Sequence, residues 1–332
     1  MLRDDDTMTR DFPGTGLKDR AIRLVRNRSL ASDSAVALVV IGAFAFGRSF
    51  EANTLLLVNM MVYMILAQGI NVSYGFTGYL PFAFVGFFGA GAYGMAVSTS
   101  KFHVGAYPGV VAGVVASVVV ALVLSPLLRL RGSYFAIASL AAAEALVLLV
   151  SNPSAQGITN GAYGANLSSV FNPGASYVST VVALGLVTVA VVWLKHSPFG
   201  LALRAIKADR SSAAMSGINV VKVRTFAWVI SAAMAGLGGA CYAWVISVFY
   251  PGDVFSLTTS VFAIIFALFG GIGTVVGPIV GTVVLYGIYN AIGITVPQYF
   301  QLIYGLLIVV IVLFVPRGLA SLGASVLGRT SK

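Results

Sequence analysis

Ten apolar stretches follow one another along this chain, at 35–50, 53–72, 79–98, 106–128, 133–150, 175–194, 225–248, 257–277, 279–296 and 299–315. Most approach the roughly 20 residues that a helix needs to cross the hydrocarbon of a bilayer. Only 9% of the 332 residues are charged, against about 25% for a chain whose surface faces water. The expectation is an all-α, polytopic integral membrane protein with about ten transmembrane helices.

The net charge of +10 could point to nucleic acid, but its distribution argues otherwise. If the N-terminus is cytoplasmic, 18 of the 20 Lys and Arg residues fall in cytoplasmic segments, and only Arg48 and Lys101 lie outside. That is the positive-inside bias. It predicts cytoplasmic N- and C-termini and an even number of spans, and it assigns the basic excess to topology. No nucleic-acid partner is expected. The localisation that follows is multi-pass in the cell inner (plasma) membrane.

The chain divides into a polar segment 1–33, a membrane domain 34–320 and a tail 321–332. Within 1–33, Leu17, Ala21, Ile22, Leu24 and Val25 alternate with basic residues at roughly helical spacing. This predicts an amphipathic helix on the inner leaflet, beside the plainer reading of a solvated basic tail. No secretory leader pattern is present at the start. Segment 151–174 carries no charge and many Gly, Asn and Ser residues; it reads as an external loop over the mouth of a pathway, or as a loop without fixed structure.

The largest internal loop is 195–224. Ser197-Pro198 resembles a helix start and Gly217 a helix stop. Between them, Ala202, Ala205, Ile206, Ala213 and Ala214 give short helices with small faces suited to docking on another protein.

Two glycine-rich stretches interrupt the apolar pattern on the inner side. One runs from Gly75 through Gly78 and Pro81 to Gly94, the other from Gly270 through Gly273 and Pro278 to Gly287. Gly78 to Tyr93 and Gly271 to Tyr286 have the same separation, a hint of internal repetition. Broken helices at membrane depth free backbone groups that need protein or water around them, and in transporters they often mark the binding site. Asn71, Tyr74, Gly75 and Gly78 combine polarity with helix breaking and are the candidate pathway residues. Scattered amides and hydroxyls such as Asn59, Gln68 and Thr259 are more simply read as helix-joining groups. Glu144 is the one ionisable residue firmly inside a span. It reads as a pathway residue or as a protonated structural group, since a bare charge there costs roughly 2.5–3.5 kcal/mol.

Enzymatic chemistry finds little support. Gly89-Ala90-Gly91-Ala92-Tyr93-Gly94 matches a dinucleotide fingerprint in letters only, because it lies within a span and not at a strand–helix turn. No phosphate-binding loop and no His-Glu-x-x-His motif occur. His103 and His196 stand far apart, and Cys241 is the single cysteine, so no metal site and no intrachain disulfide are expected. No cofactor is expected either. A passive channel and a scaffold subunit are the rival classes.

Four passages in order carry a family resemblance. They are Gly75 to Tyr93; Arg131-Gly132-Ser133-Tyr134-Phe135-Ala136 with Leu140 and Glu144; Ser197 to Ile206 continuing to Gly217-Ile218-Asn219; and Gly270-Gly271-Ile272-Gly273-Thr274 with Gly277-Pro278, closing on Pro316-Arg317-Gly318-Leu319. Together they resemble the LivM-type permease subunit of branched-chain amino acid ABC importers, over roughly 55–320. The chain departs from the family pattern at Asp209-Arg210-Ser211, where an acidic pair is frequent, and at Pro81-Phe82, where small or polar residues are common.

The resemblance implies half of a translocation pathway in a heteromeric importer. Its partners would be a second permease of similar type, two cytoplasmic ATPases that hydrolyse the ATP, an external substrate-binding protein, and membrane lipid. Loop 197–219 would then be the element that couples to an ATPase, through Phe199, Gly200, Arg204, Ala205, Asp209, Ala213, Gly217 and Ile218. Related permeases serving urea or short amides resemble this chain too.

Overall fold

The computed structural model describes residues 53–130 and 132–295 continuously, with 34, 35, 38–45, 47, 297–299, 302, 303, 305, 306 and 309. Segment 1–33, Arg131, the closing Pro316–Leu319 passage and the tail 321–332 lie outside the described residues. So do most of 299–315 and parts of 35–50.

The protein is an all-α, multi-pass membrane protein. Its long helices are α1 (Thr54–Ile70), α2 (Phe84–Phe102), α3 (Ala106–Val123), α4 (Ser133–Ser151), α5 (Pro173–His196), α8 (Val220–Ile246), α9 (Leu257–Gly270) and α10 (Val276–Thr295). Two short helices, α6 (Pro198–Ala208) and α7 (Arg210–Met215), link α5 to α8. Among the described residues, seven helices are long and apolar enough to cross a membrane. These are α1 with its extension to Gly75, α3, α4, α5, α8, α10, and α9 counted with the short helix Pro251–Val254 before it.

Helix α2 is the eighth long one, and its composition explains why it stands apart. Four glycines, three alanines and a Ser98–Lys101 end lower its hydropathy, yet most of its residues are buried. A helix wrapped by other helices need not present an apolar surface to lipid.

Several expected spans shift at their ends. The stretch expected at 79–98 forms helix only from Phe84, because Pro81 stands just ahead of it. The stretch expected at 257–277 does not run through: α9 stops at Gly270, and Gly271 and Gly273 take φ of 109° and 83°. Only glycine adopts such angles at little steric cost, so the chain turns there before α10 begins. The stretch expected at 106–128 ends as helix at Val123 and passes into a 3-10 turn, Ser125–Arg129, containing Pro126.

Helices α1, α2 and α8 form the centre, with α3 across α2 and α8 and with α9 and α10 against α1. Met61, Met64, Ile65, Leu66, Phe87 and Trp244 are fully buried there. Lipid is as apolar as leucine, so close packing and interhelical hydrogen bonds must hold the helices together. Glycines supply the first: a Cβ on Gly91 would overlap the Gly236 backbone, and one on Gly239 would overlap Phe88. Hydroxyls and an indole supply the second. Ser231 Oγ donates to Gly69 O at 2.8 Å, Ser117 Oγ to Ala232 O at 2.6 Å and Trp228 Nε1 to Ala121 O at 3.0 Å.

Segment 151–174 has fixed structure. Residues Ala165–Asn166 pair antiparallel with Val248–Phe249, and Trp244 Nε1 donates to Val170 O at 2.9 Å. The segment is thereby fastened to the connection that follows α8. Residues 38–45 are helical, and Phe44 O accepts from the Tyr177 hydroxyl on α5 at 2.6 Å. By contrast α3 and α4 expose long apolar rows, among them Val111, Val115, Val119, Leu148 and Leu149.

Candidate functional site

The two glycine-rich stretches, far apart in sequence, meet at one end of the bundle. Helix α1 changes from α to π over Asn71–Gly75, a local irregularity frequent at functional sites. Gln68 and Asn71 on its last turns are completely buried. Asn71 Nδ2 donates to Thr274 O at 2.6 Å, and its Oδ1 accepts from Gly273 N at 2.6 Å. Gln68 Nε2 donates to Val275 O at 2.7 Å. Two amide side chains thus replace the helical hydrogen bonds that the break between α9 and α10 gives up, which is what buried irregular backbone requires. Thr274 Oγ1 completes the turn, donating to Gly271 O at 2.8 Å and accepting from Gly277 N at 3.0 Å.

Gly75 lies directly against this clamp. A Cβ there would overlap Asn71 Oδ1 and come within 2.9 Å of Gly273 N. Its carbonyl accepts a hydrogen bond from Lys207 Nζ at 2.7 Å, and a Cβ on Gly78 would touch the Lys207 stem at 3.5 Å. Burial holds the Lys207 ammonium below the ordinary lysine pKa. Tyr74 is half-buried on the same turn. Just beyond, the Arg224 guanidinium at the start of α8 sits 3.5 Å over the Tyr79 ring. The structure therefore joins Asn71, Gly75 and Gly78 to the second glycine-rich stretch and to loop 197–219 through one lysine.

Within that loop the expected residues divide between holding its shape and facing out. Ser197 caps α6, its Oγ accepting from Gly200 N at 3.1 Å. Gly200 is confined by close approach, since a Cβ would overlap Leu194 O. Arg204 is spent inside the loop: Nη2 donates to Lys195 O at 3.0 Å and Nε to Gly200 O at 3.3 Å. Phe199 packs edge-on against Phe226 of α8, centroids 5.1 Å apart. Asp209 caps α7 by accepting from Ser212 N at 2.7 Å, and hydrogen bonds from the Ser212 hydroxyl first and from backbone N–H groups second lower its carboxyl pKa. Ile206, Ala213 and Val220 form a small core with Ala205 and Ile218 around it.

Gly217 ends the loop at φ 82°, its N–H donating to Ala214 O at 3.0 Å. Proline fits neither that angle nor that bond. Gly217→Pro is therefore expected to destabilise the loop by about 1–3 kcal/mol, seen as faster proteolytic cleavage within 197–219 of the inserted protein; unchanged cleavage would show that the loop accommodates proline there.

Glu144 is placed elsewhere. It is exposed on α4, away from the Asn71 clamp.

Sequence reasoning assigned no role to Lys207 or Asp253. Lys207 was one of six cations in its loop, with no local signal to separate it. Asp253 belongs to a cavity of about 170 Å³ lined by Asn59, Tyr63, Tyr242, Asp253, Thr259 and Tyr286. Those residues come from α1, α8, α9, α10 and the turn before α9. Tyr63 and Tyr286 ring centroids are 5.3 Å apart, and among the described residues Asp253 is the one carboxylate in the lining. Among the described residues no three His, Cys, Asp or Glu side chains gather as a metal site would need.

Multi-pass helices broken around a buried polar clamp, with a separate polar cavity among the spans, are the construction of a membrane transport protein. Residues 53–312 match the family described as branched-chain amino acid transport system / permease component. The chain belongs to that family, in agreement with the resemblance read from its motifs. It is 28% identical to the high-affinity branched-chain amino acid transport system permease protein LivM of Salmonella typhimurium, over 78% of this chain and 68% of that protein. The Escherichia coli LivM is 27% identical over the same shares. A probable branched-chain amino acid transport permease protein LivH of Methanocaldococcus jannaschii is 28% identical over 44% of this chain and 48% of its own. No solved structure matches the chain.

Proposed function

We propose that this permease component forms half of the pathway of an ATP-driven importer, moving branched-chain amino acids inward across the inner membrane. About ten helices would cross, with both termini cytoplasmic. A second permease of similar type would cover the exposed apolar surface of α4, where Leu148 and Leu149 stand out. Two ATPase subunits would supply the energy, and an external binding protein the solute. Segments 1–33 and 321–332 would flank the membrane domain on the cytoplasmic side.

The observation that carries the reading is the Lys207–Gly75 bond. A loop outside the membrane grips the broken helix end whose neighbour, Asn71, fixes the second break. Motion of α6 and α7 on an ATPase would then reach both breaks. Leu201 and Met215, 65% and 82% exposed, give the loop an apolar outer face of the kind that partners cover. Phe199, Gly200, Arg204, Ala205, Asp209, Ala213, Gly217 and Ile218 would set the loop's shape. Asn71, Tyr74, Gly75 and Gly78 would line or gate the inner route, and Glu144 would act where α4 faces the second permease.

Asp253 and the tyrosine rings suit an ammonium group, through charge and through ring faces. This favours an amino acid over urea, which carries no charge. Labelled leucine uptake should be lost in cells lacking the chain and restored by it, with urea uptake unchanged. Loss of urea uptake alone would keep the transport class and overturn the solute. Asp253→Asn retains the oxygen that accepts from Tyr250 N and removes the charge; leucine uptake is expected to fall about tenfold, the effect of losing one charged hydrogen bond.

A further inference from the structure

At the end of the bundle that carries α6 and α7, a second cavity of about 250 Å³ opens between the Ser125–Arg129 turn, α7 and α8. Three arginines line it, Arg129, Arg210 and Arg224, together with Ser125 and Thr225. Among the described residues no carboxylate is in the lining. Asp209, next to Arg210 in sequence, is turned to the task of capping α7. Arg224 is only 4% exposed, and Arg210 Nη1 is buried without a hydrogen-bond partner.

This concentration of charge calls for an anion. Arginine stays protonated in proteins, so the three groups cannot relieve their repulsion by losing a proton. A buried donor without a partner costs free energy. The guanidinium fork matches phosphate oxygens two at a time, and the Ser125 and Thr225 hydroxyls add donors of the right kind. The position selects the form of phosphate. Ser125 follows directly on the end of α3, where Leu122 and Val123 are 51% and 70% exposed. A phosphate held here lies beside an apolar surface on which acyl chains can rest.

We propose that the Arg129–Arg210–Arg224 cavity binds a phosphate group, supplied by an anionic phospholipid of the adjacent leaflet. The site would fasten the α3–α4 turn and α7 to the membrane surface at a fixed height. Because α7 belongs to the loop that holds Gly75 through Lys207, the lipid would steady that loop.

The test is thermal unfolding of the purified, delipidated permease with whatever subunits accompany it. Dioleoylphosphatidylglycerol, dioleoylglycerol lacking the phosphate, inorganic phosphate and polyglutamate are each added. Phosphatidylglycerol is expected to raise the unfolding midpoint by several degrees, by binding the folded state alone, and dioleoylglycerol to leave it unchanged. Arg129→Gln and Arg210→Gln should each lose most of the shift, whereas Arg204→Gln, outside the cavity, should keep it. An equal shift with inorganic phosphate supports the phosphate site with a free ion as its source. A shift with polyglutamate and with neither phosphate compound overturns the proposal in favour of an acidic polypeptide. No shift, or one undiminished in both cavity variants, overturns it outright. Should a variant fold poorly, phospholipid phosphorus copurifying per protein gives a second reading, expected to fall in Arg210→Gln and to stay level if the proposal is wrong.

Discussion

Asn71→Ala is expected to abolish uptake and to lower the unfolding midpoint of the purified permease. The variant strips the half-buried Gly273 N–H and Thr274 C=O of their side-chain partner. Each such group left unsatisfied away from water costs about 1–3 kcal/mol, and the Asn71 side chain that serves both is completely buried. The loss falls on the break between α9 and α10, so the second glycine-rich turn should loosen or refold. Asn71→Asp separates the two bonds. Its carboxylate can still accept from Gly273 N but has no donor for Thr274 O, so it should also fail. Gln68→Ala removes the bond to Val275 O and the longer one from Asn71 Nδ2 but leaves Gly273 N and Thr274 O with their Asn71 partner, and should retain measurable uptake. Normal transport by Asn71→Ala would remove the clamp from the mechanism.

Gly91→Val should prevent the permease from accumulating in the membrane at all. At this position α2 meets both α8 and α3. A side chain would overlap Gly236, and the Gly91 carbonyl itself sits where a Cβ on Gly113 would fall. Overpacking a close-fitted interior costs about 1–3 kcal/mol even when flexible side chains can give way. Here the obstacle is backbone on both sides, which cannot rotate aside, and the cost should lie at or above that range. Gly157→Val, with no atom near the added Cβ, is the matched control and should leave the amount of protein unchanged. Equal accumulation of the two variants, read by quantitative blotting of membranes, would show that the three helices can part without loss.

Both residues were visible in the sequence, one as a polar group beside a helix break and one as part of a glycine run. Their tasks were not distinguishable there. Gly91 serves close packing inside a continuous helix, and Gly273 serves a turn with positive φ; in the sequence each is a glycine in an apolar stretch. Arg204 and Lys207 pose the same problem. They lie on one short helix, yet Arg204 bonds its own loop and Lys207 reaches a carbonyl 132 residues away. Glu144 drew notice as a lone acid in a span, and α4 turns it outward.

The sequence by itself determined the class: an all-α membrane protein, the approximate positions of the apolar helices among the described residues, the two breaks, and the family. Those properties are local, since hydropathy over some 20 residues decides whether a segment enters lipid and Gly or Pro decides where a helix must end. Only the tertiary structure decided which polar group answers which broken backbone, and that Asn59 and Asp253 share a cavity while Arg129, Arg210 and Arg224 share another. Such pairings depend on how each helix is rotated about its axis against its neighbours. In lipid that rotation is set by the close contacts of small residues across helices, and no stretch of sequence read alone contains it.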